Sequence, residues 1–248
     1  MNENFIRYVG FADRPPIVHE KPWKPISDTD DALTEAINAG YTAVSTMSFE
    51  YEPDKEKPEP LRKGNLFLDF DCKGNIGRAI EASKLFVRNL ATRFQIHPSC
   101  LNYWMSGGKG CHIEIPNVLY SGQDGDQYLP LIHRAMMFLL SNAFLKNTNM
   151  IDVLDMSMYD MGKGRLLRIE NTPRESRHFK VPVTAEELLT SSNESLIKMT
   201  ETTRYDLHKT PHTLTPSDRL TELYVTSLEL VHLQVKCKNP LEGLEALL

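Results

Sequence analysis

The run Asn65-Leu-Phe-Leu-Asp-Phe-Asp71 constrains this 248-residue chain more than any other segment. It reads as an apolar β-strand, preceded by the proline- and charge-rich loop 51–64, and the next glycine, Gly74, lets the chain turn. Residues two apart on a strand project to one face, so Asp69 and Asp71 stand side by side near its C-terminal end. Two carboxylates so placed repel each other unless a cation intervenes. A hard divalent ion, Mg²⁺ or Mn²⁺, would neutralise them and could hold a nucleoside triphosphate while a hydroxyl nucleophile is activated. A solvated strand end is the plainer alternative.

Around this strand, helical and extended patterns are mixed. Asp30 to Ala39 reads as a short helix ended by Gly40, and Tyr41 to Met47 as a strand. Ile76, Ile80, Leu85, Phe86, Leu90 and Phe94 follow a helical period. Cys100–Ser106 and His112–Pro116 read as a hairpin joined by Gly107-Gly108-Lys109-Gly110. Tyr128 to Lys146 is an apolar helix, and Ile151–Met156 and Arg165–Glu170 read as strands separated by the turn Gly162-Lys163-Gly164. Thr184 and Glu187 have capping-box spacing for a helix through Leu196, and Leu220–Leu233 is a further amphipathic helix. The expected class is α+β, with a domain over residues 1–200 and a helical extension over 201–248.

Hydrophobic residues at 41% and charged residues at 25% exclude a disordered, collagenous or membrane-spanning product. A net charge of −5 argues against a protein that coats nucleic acid by charge alone. That total conceals a basic stretch: residues 161–180 hold six Lys or Arg against two Glu, a local balance of +4. Cys72, Cys100, Cys111 and Cys237 contain no closely spaced pair, so neither a disulfide framework nor a cysteine zinc module has its usual signature. Without a basic, apolar leader or a long uncharged apolar run, the expected location is intracellular, either cytoplasmic or nucleoid-associated.

Three further groups of residues carry chemistry. Asp152, inside the apolar run Ile151-Asp152-Val153, could complete a metal site, or it could pair with a basic side chain while Asp155 caps a turn. Asp155, three residues on, would point to the opposite face of the expected strand, so Asp152 is the preferred third carboxylate. The segment Ser106-Gly-Gly-Lys109-Gly-Cys-His112 has the composition of a phosphate cradle, though it is not a Walker A sequence and a simple glycine turn is the alternative. In the basic stretch, His178 and Lys180 share a face if the strand is extended, a spacing suited to a phosphate-rich ligand, while Phe179 and Val181 face inward. Tyr103 and Trp104 point to opposite sides of their strand, so at most one can stack on a base.

Taken in order, Leu-Asp69-Phe-Asp71, Ser106-Gly-Gly-Lys-Gly-Cys-His112, Ile-Asp152 and Arg-Leu-Leu-Arg168 with His178-Phe-Lys180 resemble the catalytic domain of the archaeo-eukaryotic primase superfamily. The similarity is to primase-polymerases of plasmids, viruses and other mobile elements, and it covers roughly residues 40–183. It implies an N-terminal α/β module beside an RNA-recognition-motif-like catalytic sheet. It also implies that Asp69, Asp71 and Asp152 hold Mg²⁺ or Mn²⁺. Ser106, Lys109 and His112 would then contact the incoming nucleoside triphosphate, and Arg168, His178 and Lys180 would form a basic wall around its phosphates. The implied activity is DNA-templated primer synthesis or extension by nucleotidyl transfer, on a DNA template and primer, with a replicative helicase or other replication protein as a possible partner. The alternatives are a noncatalytic nucleic-acid-binding replication protein on the same fold and a metal-dependent nuclease.

Overall fold

The computed structural model describes residues 5–12, 23–54, 56–121, 125–159, 165–174, 176–205 and 214–236. The turn expected at Gly162–Gly164 and Cys237 lie outside them. In chain order the elements are β1 (Ile6–Gly10), β2 (Trp23–Ser27), α1 (Asp30–Asn38), β3 (Ala43–Ser45), β4 (Ser48–Phe49), β5 (Arg62–Lys63), β6 (Leu66–Asp71) and α2 (Ile76–Arg93). There follow β7 (Asn102–Met105), β8 (Gly110–Ile115), α3 (Leu129–Leu145), β9 (Leu166–Arg168), β10 (Val181–Val183), α4 (Ala185–Thr190), α5 (Asn193–Lys198) and α6 (Asp218–Lys236). The fold is mixed α+β, with two sheets.

In the first sheet β1 pairs with β2 along one edge, from Ile6↔Ser27 to Gly10↔Trp23. Its other edge takes β4 at Ile6↔Phe49 and β3 at Val9↔Val44, and β5 and β9 continue outward from these two. The second sheet has the order β10-β7-β8-β6, every pair antiparallel. Strands β6 and β7, joined through α2, are therefore parallel to each other with β8 between them, a split β-α-β arrangement.

Alternation decides which face of β6 is packed. Leu66, Leu68 and Phe70 are fully buried, while Phe67, Asp69 and Asp71 take the opposite face. Helix α2 starts where the Asn75 side chain accepts from the Arg78 N–H, and its Ala79, Ile80, Phe86, Val87 and Leu90 are buried in the common core. Phe86 sits between Phe70 and Phe144 of α3, at centroid distances of 5.5 and 5.0 Å in edge-on contact. Gly110 has to be glycine: a Cβ there would strike the Phe70 carbonyl on the neighbouring strand. Helix α6 joins the same core through Leu220 and Val231, and Tyr224 packs 5.6 Å from Tyr120, so this helix is packed onto the rest.

The elements expected around residues 30–39, 65–71, 76–94, 100–116 and 128–146 are present within a few residues. Strands β1 and β2 were not foreseen from the sequence. The strand expected over Ile151–Met156 is instead two 3₁₀ turns, Ile151–Val153 and Met156–Tyr159, with only Leu154 bridged to Phe70. Side-chain and single backbone contacts satisfy this edge of β6 in place of a strand. The Phe67 N–H donates to the Tyr159 hydroxyl (2.6 Å), which donates back to the Phe67 carbonyl (3.2 Å), and the Asp155 N–H donates to the Asp69 carbonyl (2.8 Å). The helix expected from Thr184 through Leu196 is two short ones. Its capping box forms, but Ser192 caps a second helix through the Ser195 N–H, and the buried Lys84 ammonium binds the freed Ser191 carbonyl (2.9 Å).

Phe86→Ala removes the ring that joins β6 to α3 and should cost about 3–5 kcal/mol of stability. In urea unfolding this appears as a lower midpoint with an unchanged slope.

Candidate functional site

The face of the second sheet turned away from α2 and α3 gathers the polar side chains. Register places Asp69 opposite His112 and His112 opposite Trp104, and Asp71 opposite Gly110, so these residues form adjoining rows on one surface. The Asp69 side chain is 13% exposed and the Asp71 side chain 34%. Nε2 of His112 lies 3.4 Å from Oδ1 of Asp69, yet Oδ1 and the His112 Nδ1 are buried without a hydrogen-bond partner.

Electrostatics follow from this placement. Burial, reinforced by the negative charge of Asp71, pushes the Asp69 carboxyl up to about 7, against the pull of Arg165 and Lys180. Burial also holds His112 neutral, well below the usual imidazole value, and the positive charges of Lys180, Arg174 and Arg165 act in the same direction. The Lys180 ammonium is buried and lowered to about 8, chiefly by desolvation. It donates to the Arg168 carbonyl (2.8 Å) and lies 4.8 Å from the centroid of the Trp104 ring. Trp104 donates in turn to Glu170 (2.9 Å).

The expected third acid, Asp152, is not brought to this face. It is exposed, and both its oxygens accept from the Arg78 guanidinium, at 2.6 and 2.9 Å, which holds its carboxyl below the usual range. Asp155 takes the place next to Asp69 instead, through the backbone bond already described, and its negative charge acts on the Asp69 carboxyl. Burial disfavours the Asp155 carboxylate, but the Ser157 hydroxyl (2.7 Å) and the Arg165 guanidinium overcome this and hold its carboxyl low. The strand periodicity that favoured Asp152 does not apply, because the segment is 3₁₀. The usable signal was Asp155-Met-Ser157, where the Asp155 carboxylate accepts from the Ser157 N–H as at a turn start.

The other expected residues divide in the same way. Lys109 is half-exposed, with Nζ 3.5 Å from Asp71 Oδ2. Ser106 is buried and closes its own turn, accepting from the Gly110 N–H (3.2 Å). Arg168 donates to the Pro173 carbonyl (2.8 Å). His178 and Lys180 engage different partners. Arg174 N–H donates to the His178 carbonyl (2.8 Å), and the His178 ring is held at Thr200 Oγ1 (2.7 Å). Phe179 and Val181 do pack inward. Tyr103 and Trp104 diverge as expected, Tyr103 donating to the Pro98 carbonyl, while Trp104 lies on the site face but is covered and only 8% exposed.

Among the described residues, no three His, Cys, Asp or Glu side chains are gathered as a metal cage. Asp69 and Asp71 nevertheless suit a hard divalent cation. They are paired oxygen donors, one with a buried oxygen that has no hydrogen-bond partner, and Mg²⁺ is commonly held by one or two carboxylates together with substrate phosphates. Cys72, Cys100 and Cys111 are free thiols. No described helix is long and apolar enough to cross a membrane.

Asp69 binds its proton more tightly in the folded chain (about 7) than at its ordinary value of 3.8. Its ionisation therefore removes stability as pH rises between those values. Without divalent cations, the stability of Asp69→Asn relative to wild type should increase as pH is raised from 4 to 7 and level off above, as read by thermal melts across that range. An offset independent of pH would show that Asp69 titrates normally.

Comparison of the chain with protein-family models gives no match, and comparison with curated proteins gives none.

Proposed function

We propose that this chain is a DNA-templated primase-polymerase that adds nucleotides by metal-dependent nucleotidyl transfer, with Asp69 and Asp71 at its centre. The observation that carries this reading is the buried carboxylate oxygen of Asp69, without a hydrogen-bond partner and 3.4 Å from His112, beside Asp71 on a sheet face lined by Lys109, Arg165 and Lys180. An acidic pair ringed by cations suits a ligand that brings both a divalent ion and phosphate. The split β-α-β sheet is in keeping with the resemblance to the archaeo-eukaryotic primases, in which the catalytic sheet is RNA-recognition-motif-like.

Bound Mg²⁺ or Mn²⁺ would neutralise phosphate charge and lower the barrier to attack by a hydroxyl. Asp69 and Asp71 would hold it, with Asp155 taking the third acidic position in place of Asp152. His112, kept neutral, retains one N–H for a phosphate oxygen, and its rigid strand fixes where that donor points. Lys180 and Lys109 bring positive charge toward the phosphates, and the pyrophosphate released by attack of a primer 3′-hydroxyl on the α-phosphate leaves along the same basic wall. Ser106 shapes the turn that presents Lys109. Arg168 and His178 support the wall through the backbone and Thr200 instead of touching phosphate. DNA template and primer are the macromolecular ligands, and a helicase or another replication protein is a partner that could direct initiation.

The purified protein should extend a primed DNA template in Mg²⁺ or Mn²⁺. Asp69→Asn, Asp71→Asn and Asp155→Asn should each lower incorporation by at least about a hundredfold, while Asp152→Asn should leave it near wild type. Intact template binding without incorporation in either metal would overturn the polymerase reading, and cleavage of the DNA in its place would indicate a nuclease.

A further inference from the structure

Residues 171–174 fold back against 178–180, and Arg174 meets the turn between β7 and β8. Pro173 bridges Phe179, and the Asn171 N–H donates to the Lys180 carbonyl (2.7 Å). Arg174 lies directly on Gly108. A Cβ on Gly108 would collide with Nη1 of Arg174 and stand 2.8 Å from its Cζ, so the guanidinium occupies the space a side chain would take. The seat is intimate, yet no described group answers the charge. Among the described residues the Arg174 side chain has no carboxylate and no hydrogen-bond acceptor, and its Nε is buried without a partner. Arginine is seldom buried in part without an anion, because its donors lose water and gain nothing in return.

The turn beneath it offers matching donors. The backbone N–H groups of Gly107, Gly108 and Lys109 bond to no other described group, and the Lys109 ammonium lies beside Asp71 at the acidic end of the site. Arg174 is also close enough to His112 for its charge to act on that ring. Successive amides without a described partner, beside a planar guanidinium, are donors suited to a multiply charged oxyanion.

We infer that Arg174, seated on Gly108, clamps the terminal phosphates of a nucleoside triphosphate against the Gly107–Lys109 turn, so that the site selects a polyphosphate over a single phosphate. This rests on reading the face as a nucleotide site and adds a residue contributed by the folded-back segment. Gly108 is then a specificity feature, since any larger residue expels the clamp. Because the displaced atoms are the far end of a flexible side chain, the turn itself survives such a change.

The test uses inorganic triphosphate and orthophosphate as probes, with Mg²⁺ present, in titration calorimetry on the full chain. Loss of one charge-assisted contact predicts that Arg174→Ala weakens triphosphate binding by roughly ten- to a hundredfold, with orthophosphate binding little changed. Gly108→Ala should reproduce that loss although it removes no charge, and the double variant should be no worse than either single one. Arg174→Lys should fall between, since it keeps the charge and loses the fork. Circular dichroism melts matching wild type identify the folded variants, and Arg174→Lys supplies the comparison if Arg174→Ala does not fold. Wild-type triphosphate affinity in Arg174→Ala, or equal losses for both probes, overturns the assignment. The assay reads binding alone, so it stands or falls separately from incorporation: an inactive chain that binds triphosphate through Arg174 would leave the clamp intact and remove only the polymerase.

Discussion

A carboxylate held out of water has to be answered electrostatically, and Asp69 is the group that sets this requirement. Its oxygen is buried opposite His112, Asp71 shares its face, and Asp155 adds a third negative charge nearby. Arg165 and Lys180 offset part of this. The remaining deficit is expressed as a carboxyl that holds its proton up to about neutral pH. Such a site gains stability from any bound cation, and the nearby guanidinium and ammonium groups mean that the cation is best accompanied by an anion.

The rigidity that makes this arrangement possible comes from the opposite side of the same sheet. Leu66, Leu68 and Phe70 alternate with Phe67, Asp69 and Asp71, so each residue that packs against α2 fixes a neighbour that faces the site. The Phe70, Phe86 and Phe144 rings tie strand and helices together. A one-residue slip in the β6–β8 register would exchange core for site, and the Gly110 contact with the Phe70 carbonyl opposes it. Position of the acids and integrity of the core are thus one property.

Net charge misleads for such a protein. The acidic total of −5 includes the carboxylates of the site, whereas the basic residues near it, Lys109 apart, come from the stretch 161–180, where the balance is +4. That stretch is not spread as an even surface. Arg165 is bound to Asp155, Lys180 is buried over Trp104, and Arg174 lies on Gly108. Each of these three has its own structural setting, which is why substitution by another basic residue is not expected to be neutral at every position.

Strong local periods made much of this legible. The β6 alternation placed Asp69 and Asp71 on one face, the helical repeat over 76–94 and the apolar run over 128–146 located the helices behind them, and the glycine turn identified the β7–β8 hairpin. Strand β2 was hidden because it carries Pro25 and depends on β1 for its pairing. The choice between Asp152 and Asp155 could not be made locally. Its apolar setting suggested a strand, but the Tyr159 hydroxyl and the Asp155 amide satisfy the edge of β6, so the chain turns and presents the other acid. His178 and Lys180 likewise have partners, Thr200 and the Arg168 carbonyl, that no local pattern shows. The sequence by itself determined the acidic pair and the core that holds it, since both follow from spacing within single elements. Tertiary structure alone decided that Asp155 and not Asp152 lies beside Asp69 and that Arg174 lies on Gly108, because those contacts depend on where distant segments meet.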